Sequence, residues 1–90
     1  MGLEFVEMMM ATEKEFGIKV DESRMGNVKT VEDYLNLVIQ LRKEAGHLPN
    51  DSVDDIYTWP RLQALIADTI FFKPDQIKLE HNFIKDLGFD

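Results

Sequence analysis

Ninety residues, 44% hydrophobic and 30% charged, suit one small folded domain that buries roughly 60–65% of its unfolded surface. A formal net charge of −7 repels nucleic acid phosphates and favours a partner with a basic surface. With no cysteine there are neither disulfides nor thiolate metal sites, and no apolar run approaches the ~18–20 residues of a membrane span, nor does a signal-peptide pattern open the chain, so a soluble protein is expected.

The first expected helix covers residues 3–16. Phe5, Met8, Met9, Thr12 and Phe16 recur at three- and four-residue spacing, the pattern of one buried face. Leu3, Val6 and Met10 form a second apolar row, set among Glu4, Glu7, Glu13 and Glu15. A bundle helix needs one apolar stripe, so the second row reads either as a widened core face or as a docking surface whose acids steer a basic partner. Gly17 takes the helix-ending role. Asp21-Glu22-Ser23 then opens a short helix or 3₁₀ turn that points Met25 and Val28 inward.

Thr30-Val31-Glu32-Asp33 resembles a capping box. The helix after it directs Val31, Tyr34, Leu35, Val38, Ile39 and Leu41 to the core and closes on Arg42-Lys43 before Gly46, where cations suit the helix dipole. Residues 44–57 lose the periodicity and carry turn residues, which marks a linker. Extended, it reaches ~45 Å, against ~20 Å for a thirteen-residue helix, enough to run the length of a bundle. Thr58 is placed to cap the next helix, with Trp59 and Pro60 in the first turn and Leu62, Leu65, Ile66 and Ile70 as its stripe. Phe71 and Phe72 extend the hydrophobic surface past its end. Ile77 and Leu79, then Phe83, Ile84 and Leu87, pin the following loop to the core. The fold class expected is all-α: three main helices plus one short helix.

Two stretches belong together. Lys85-Asp86-Leu87-Gly88-Phe89-Asp90 offers, in Asp90, a helix N-cap with no helix after it, while Gly2-Leu3-Glu4-Phe5-Val6-Glu7 enters a helix with no Ser, Thr, Asp or Asn before it. Joined, they resemble the attachment motif of acyl carrier proteins, Asp-Ser-Leu at the start of the second helix, with Asp90 in the aspartate's place, Gly2 in the serine's slot and Leu3 as the leucine. Phe83-Ile84-Lys85-Asp86-Leu87-Gly88 is similar to the family's Phe-x-x-Asp-Leu-Gly signature. The resemblance therefore implies a circularly permuted acyl carrier protein, a small four-helix bundle in a single domain. Residues 58–90 would supply family helix one and the long loop, 2–43 would supply helices two to four, and 44–57 would be the linker. A break at the attachment residue has the look of an engineered choice.

By that resemblance the function is to carry acyl chains as thioesters on 4′-phosphopantetheine for fatty-acid or polyketide-type synthesis, without catalysis by the carrier, in the cytoplasm or in an organelle matrix. Leu3, Glu4, Val6, Glu7, Met10 and Glu13 fall on the face that meets acyl-transfer and synthase enzymes, and a phosphopantetheinyl transferase would act on the parent. Gly2 has no hydroxyl, so no cofactor is expected on this chain through that slot. Thr12 stands where the family has a larger apolar residue. Ser52, in Asp51-Ser52-Val53-Asp54, imitates the attachment motif but lacks the preceding Leu-Gly and reads as a linker serine.

The competing reading is a helical interaction module that docks through its acidic, Met-rich helix and carries nothing. A small hydrolase ranks last: His47 and His81 are isolated, the acids form no general acid–base pair, and no serine has an evident base. Permutation further predicts that the two joined stretches lie close in space and that the chain is a monomer or a dimer exchanging 3–43.

Overall fold

A computed structural model describes residues 2–48 and 57–89, and within them the chain is a bundle of three α-helices tied by two 3₁₀ turns. Helix α1 spans Leu3–Phe16 and buries Phe5, Met8, Met9, Thr12 and Phe16, the row that the spacing predicts. It ends on Gly17, whose φ of 63° is left-handed and whose N–H donates to the Glu13 carbonyl at 2.9 Å. The chain then alternates as an extended segment does, with Ile18 and Val20 buried and Lys19 exposed between them. A 3₁₀ turn follows at Glu22–Asn27; Asp21 caps it by accepting the Ser23 N–H, and Met25 is its buried residue.

Helix α2, Val31–Glu44, has a fully satisfied N-terminus. Thr30 Oγ1 accepts the Asp33 N–H at 3.2 Å, and the Asp33 carboxylate accepts the N–H groups of Lys29 and Thr30 at 3.0 and 3.1 Å. The N–H groups of Val31 and Glu32 donate to the carbonyls of His81 and Leu79, so the distant loop closes the turn. Val31, Tyr34, Val38 and Leu41 are buried. Leu35, as expected, and Leu37, which the sequence pattern does not single out, are half-buried and pack on the core from its margin; Ile39, expected inward, is also half-buried but does not join that cluster. The helix closes with the His47 N–H on the Arg42 carbonyl and the Gly46 N–H on that of Lys43, around Gly46 at φ 80°.

Helix α3 spans Thr58–Thr69, and here an expectation fails: Thr58 is not the cap. It is the first helical residue, fully buried, and its hydroxyl accepts from the Arg42 guanidinium, a long-range contact that no local pattern announces. Leu62, Ile66 and Ala67 form the buried stripe, with Trp59, Leu65 and Ile70 packed against it. The α3 C-terminus is closed by the same two bonds as that of α2, Phe72 N–H to Ala67 and Phe71 N–H to Asp68, but the left-handed residue is Phe71, at φ 62°.

The second 3₁₀ turn, Pro74–Gln76, leads into a loop that Ile77, Phe83 and Leu87 bury. Ile84, expected inward, is exposed; Phe89 takes the interior place. Each signature residue has a physical role. The Asp86 carboxylate accepts the Asn82 N–H at 2.7 Å, Leu87 fills the core, and Gly88 turns at φ 72°. Phe89 then returns to donate its N–H to the Phe83 carbonyl at 2.8 Å. Phe83 packs against Phe5, Phe89 and Tyr34 with ring centroids 4.9–5.9 Å apart, which joins α1, α2 and the loop in one aromatic cluster.

A polar pair sits inside this core. Thr12 and Tyr34, both fully buried, share a hydrogen bond of 2.7 Å, and the Thr12 hydroxyl lies 2.7 Å from the Met8 carbonyl, to which it donates. Tyr34 can then donate to Thr12, so neither hydroxyl is stranded. Burial pushes the Tyr34 phenol well above its usual range.

Candidate docking face

The N-terminal turn of α1 carries most of the residues that the sequence singles out. Gly2 is its N-cap, extended at φ −81° and ψ 173°, with no side-chain capping bond. Its carbonyl accepts the Val6 N–H at 3.3 Å, so the helix begins directly after it. Beyond it, Leu3 and Met10 are 67% and 63% exposed and Val6 is also exposed, and this second row makes no part of the core. Glu7 is exposed and Glu4 half-buried on the same helix. The Glu13 carboxylate also accepts the Val20 N–H at 2.8 Å and so ties the extended segment to α1. Asp90 and Ser52 lie outside the described residues.

Two recesses flank this row. One, of about 420 Å³, lies between Val6, Met9, Met10 and Glu13 and the segment Lys19–Glu22. The other, of about 390 Å³, is lined by Leu3, Glu4 and Glu7 from α1, by Thr69–Phe72 at the end of α3, and by Leu87 and Gly88. The joined stretches are thus neighbours in space. Phe89 packs on Phe5 with ring centroids 5.1 Å apart, and Leu87 and Gly88 share a recess with Leu3. A third recess, about 320 Å³, opens between Phe5, Val28, Phe83 and Ile84 with Lys29 and Lys85 at its rim.

Sequence reasoning underweights one feature of this surface. Phe71, read with Phe72 as hydrophobic surface continuing past the end of α3, is 96% exposed. The signal for it is the absence of glycine after a helix that must turn. Among the described residues no group of three or more His, Asp or Glu could hold a metal ion, and no helix is long and apolar enough to cross a membrane. His47 is exposed, and His81 Nδ1 accepts the Lys78 N–H as part of a local turn.

The described residues thus form an all-α bundle whose α1 bears an exposed, half-apolar face set among acids. Comparison with known proteins finds that half of the chain is similar to acyl carrier proteins. It is 40% identical over 46 residues to acyl carrier proteins 4 and 1, both chloroplastic, of Cuphea lanceolata, a match covering 51% of this chain and 33% of each relative. The chain thus aligns with about a third of the length of these curated relatives. No protein-family model matches it, and no solved structure does.

Proposed function

We propose that the chain is a non-catalytic acyl-carrier scaffold with permuted segment order. Its α1 face meets the basic surfaces of acyl-transfer and synthase enzymes of fatty-acid or polyketide-type synthesis. The observation that carries the reading is the juxtaposition of the Phe83–Phe89 loop with the start of α1, two segments far apart in sequence and side by side in space. Together with the similarity to chloroplastic acyl carrier proteins, this supports a family order in which 58–90 precedes 2–43. The chloroplastic naming of those relatives favours an organelle matrix as the place of action.

The family's cofactor, 4′-phosphopantetheine, does not fit the residue in its slot. Its phosphodiester needs a side-chain oxygen at an exposed helix N-terminus, where free N–H groups and the dipole suit a phosphate. Gly2 occupies that end of α1 and has no side chain. The chain has two serines, Ser23 and Ser52. The Ser23 N–H serves the Asp21 cap within a 3₁₀ turn, not a helix of the required kind.

A second reading, a non-carrier module that docks through α1, is favoured by the same glycine and by the exposed Leu3, Val6 and Met10. Intact mass after incubation with coenzyme A and a broad-specificity phosphopantetheinyl transferase separates the two. The expected result is no gain for the native chain and a gain of one phosphopantetheine for Gly2→Ser. A Gly2→Ser chain that stays unmodified, though folded, sinks the carrier reading and leaves the module. A gain on the native chain refutes the Gly2 argument and points to another hydroxyl.

A further inference from the structure

The strongest unexplained feature is Phe71. The α3 C-terminus needs a left-handed residue to complete its two closing hydrogen bonds, and a Cβ is unfavourable there, which is why glycine is the usual occupant. Phenylalanine accepts that strain and gains no burial in return, since 96% of it faces solvent. An aromatic side chain held out in this way costs stability through its backbone and forgoes the gain that burial would bring.

Its surroundings identify what it fits. Phe71 lines one recess of about 390 Å³ with Phe72 and Leu3, both exposed hydrophobics, while Glu4 and Glu7 supply negative charge on the α1 side. Lys73 follows two residues after Phe71 and is the nearest cation along the chain. A second copy would set Glu4 and Glu7 against their own counterparts in a chain of net charge −7, and an anionic lipid surface meets the same repulsion. A protein with an apolar pocket rimmed by lysine or arginine satisfies both the ring and the acids.

We propose that Phe71 is an aromatic anchor that inserts into such a pocket, so that the docking surface of α1 continues across the recess onto the end of α3. This rests on the docking reading given above and adds to it a named contact outside α1. Enzyme partners would then be gripped at two points, by charge along α1 and by the ring of Phe71.

The test is titration of ¹⁵N-labelled protein with a broad-specificity phosphopantetheinyl transferase and with a β-ketoacyl synthase, using the native chain, Phe71→Gly, and the pair Glu4→Gln/Glu7→Gln. For the native chain, amide shifts are expected at Leu3, Glu7, Phe71 and Phe72. Phe71→Gly is expected to bind at least tenfold more weakly while melting at a higher temperature, which shows that the loss is not unfolding. The glutamine pair is expected to weaken binding and flatten its salt dependence. Native affinity in Phe71→Gly with weaker binding by the glutamine pair overturns the anchor and leaves the docking face standing. No binding of the native chain to either enzyme overturns both. Self-association abolished by Phe71→Gly, with enzyme binding unchanged, assigns the ring to a second copy and also overturns the proposal.

Discussion

The C-terminus of α2 and the C-terminus of α3 are closed by the same pair of backbone bonds, one around Gly46 and the other around Phe71. A similar contrast holds at N-termini. Helix α2 has a complete capping box and two loop carbonyls, whereas α1, of equal length, begins on Gly2 with no side-chain cap. The well-made ends are both ends of α2 and the Gly17 end of α1. Three ends are less well made: the start of α1, the finish of α3, and the start of α3, where Tyr57 makes no side-chain capping bond; the first two line a single recess. Two of the three departures from good helix-end chemistry therefore meet at one surface, as expected when a surface serves something other than stability.

That contrast can be tested from both sides. Gly46→Ala places a Cβ in open space, so only the backbone suffers, and a loss of about 1–2 kcal/mol is expected in urea unfolding. Phe71→Gly, at the matching position, is expected to gain about 1 kcal/mol by the same measurement. A loss there instead would show that the ring stabilises the fold, and the two ends would no longer differ in kind. Thr30→Ala breaks the α2 capping box and is expected to cost ~1 kcal/mol.

Acidity probes the same box. The Lys29 N–H, and after it the Thr30 N–H, hold the Asp33 carboxyl below the ordinary carboxylate range. Its contribution is complete above the unfolded pKa, about 3.9, and is lost as pH falls through the lower folded value. Stability measured from pH 5 downward should fall less steeply in Asp33→Asn. Some slope should persist, because Asp21, through Ser23, and Glu44, through Arg24, are also depressed. The smallest effect expected is at the other N-terminus. Gly2→Asp should gain only a few tenths of a kcal/mol, since glycine is itself a tolerable cap.

Much of this architecture is legible in the sequence because its causes are local. Phe5, Met8, Met9, Thr12 and Phe16 declare one face of α1 by spacing alone, and Thr30 and Asp33 declare the start of α2. What escapes is set by contacts between distant segments. Thr58 looks like a cap until Arg42, sixteen residues earlier, claims its hydroxyl. Ile84, expected inward, is left in solvent, while the turn around Gly88 brings Phe89 back onto Phe83 and Phe5. The apolar row of Leu3, Val6 and Met10 is visible in sequence as surplus, but its exposure depends on where α3 and the loop lie. Phe71 reads as hydrophobic surface continuing past the helix end, and the left-handed turn that holds it in solvent carries no glycine to announce it.

The hydroxyl pair of Thr12 and Tyr34 restricts how this interior can change over time. Replacing Thr12 by valine removes one acceptor and leaves a buried phenol without its partner, and replacing Tyr34 by phenylalanine strands the threonine's second lone pair. Replacing both removes the demand altogether, so the double change should cost less than the sum of the single ones. The pair is in effect a two-key lock on mutational drift. An apolar lining at this point is accessible only through an intermediate weaker than either endpoint, so a chain with Thr12 and Tyr34 tends to keep both.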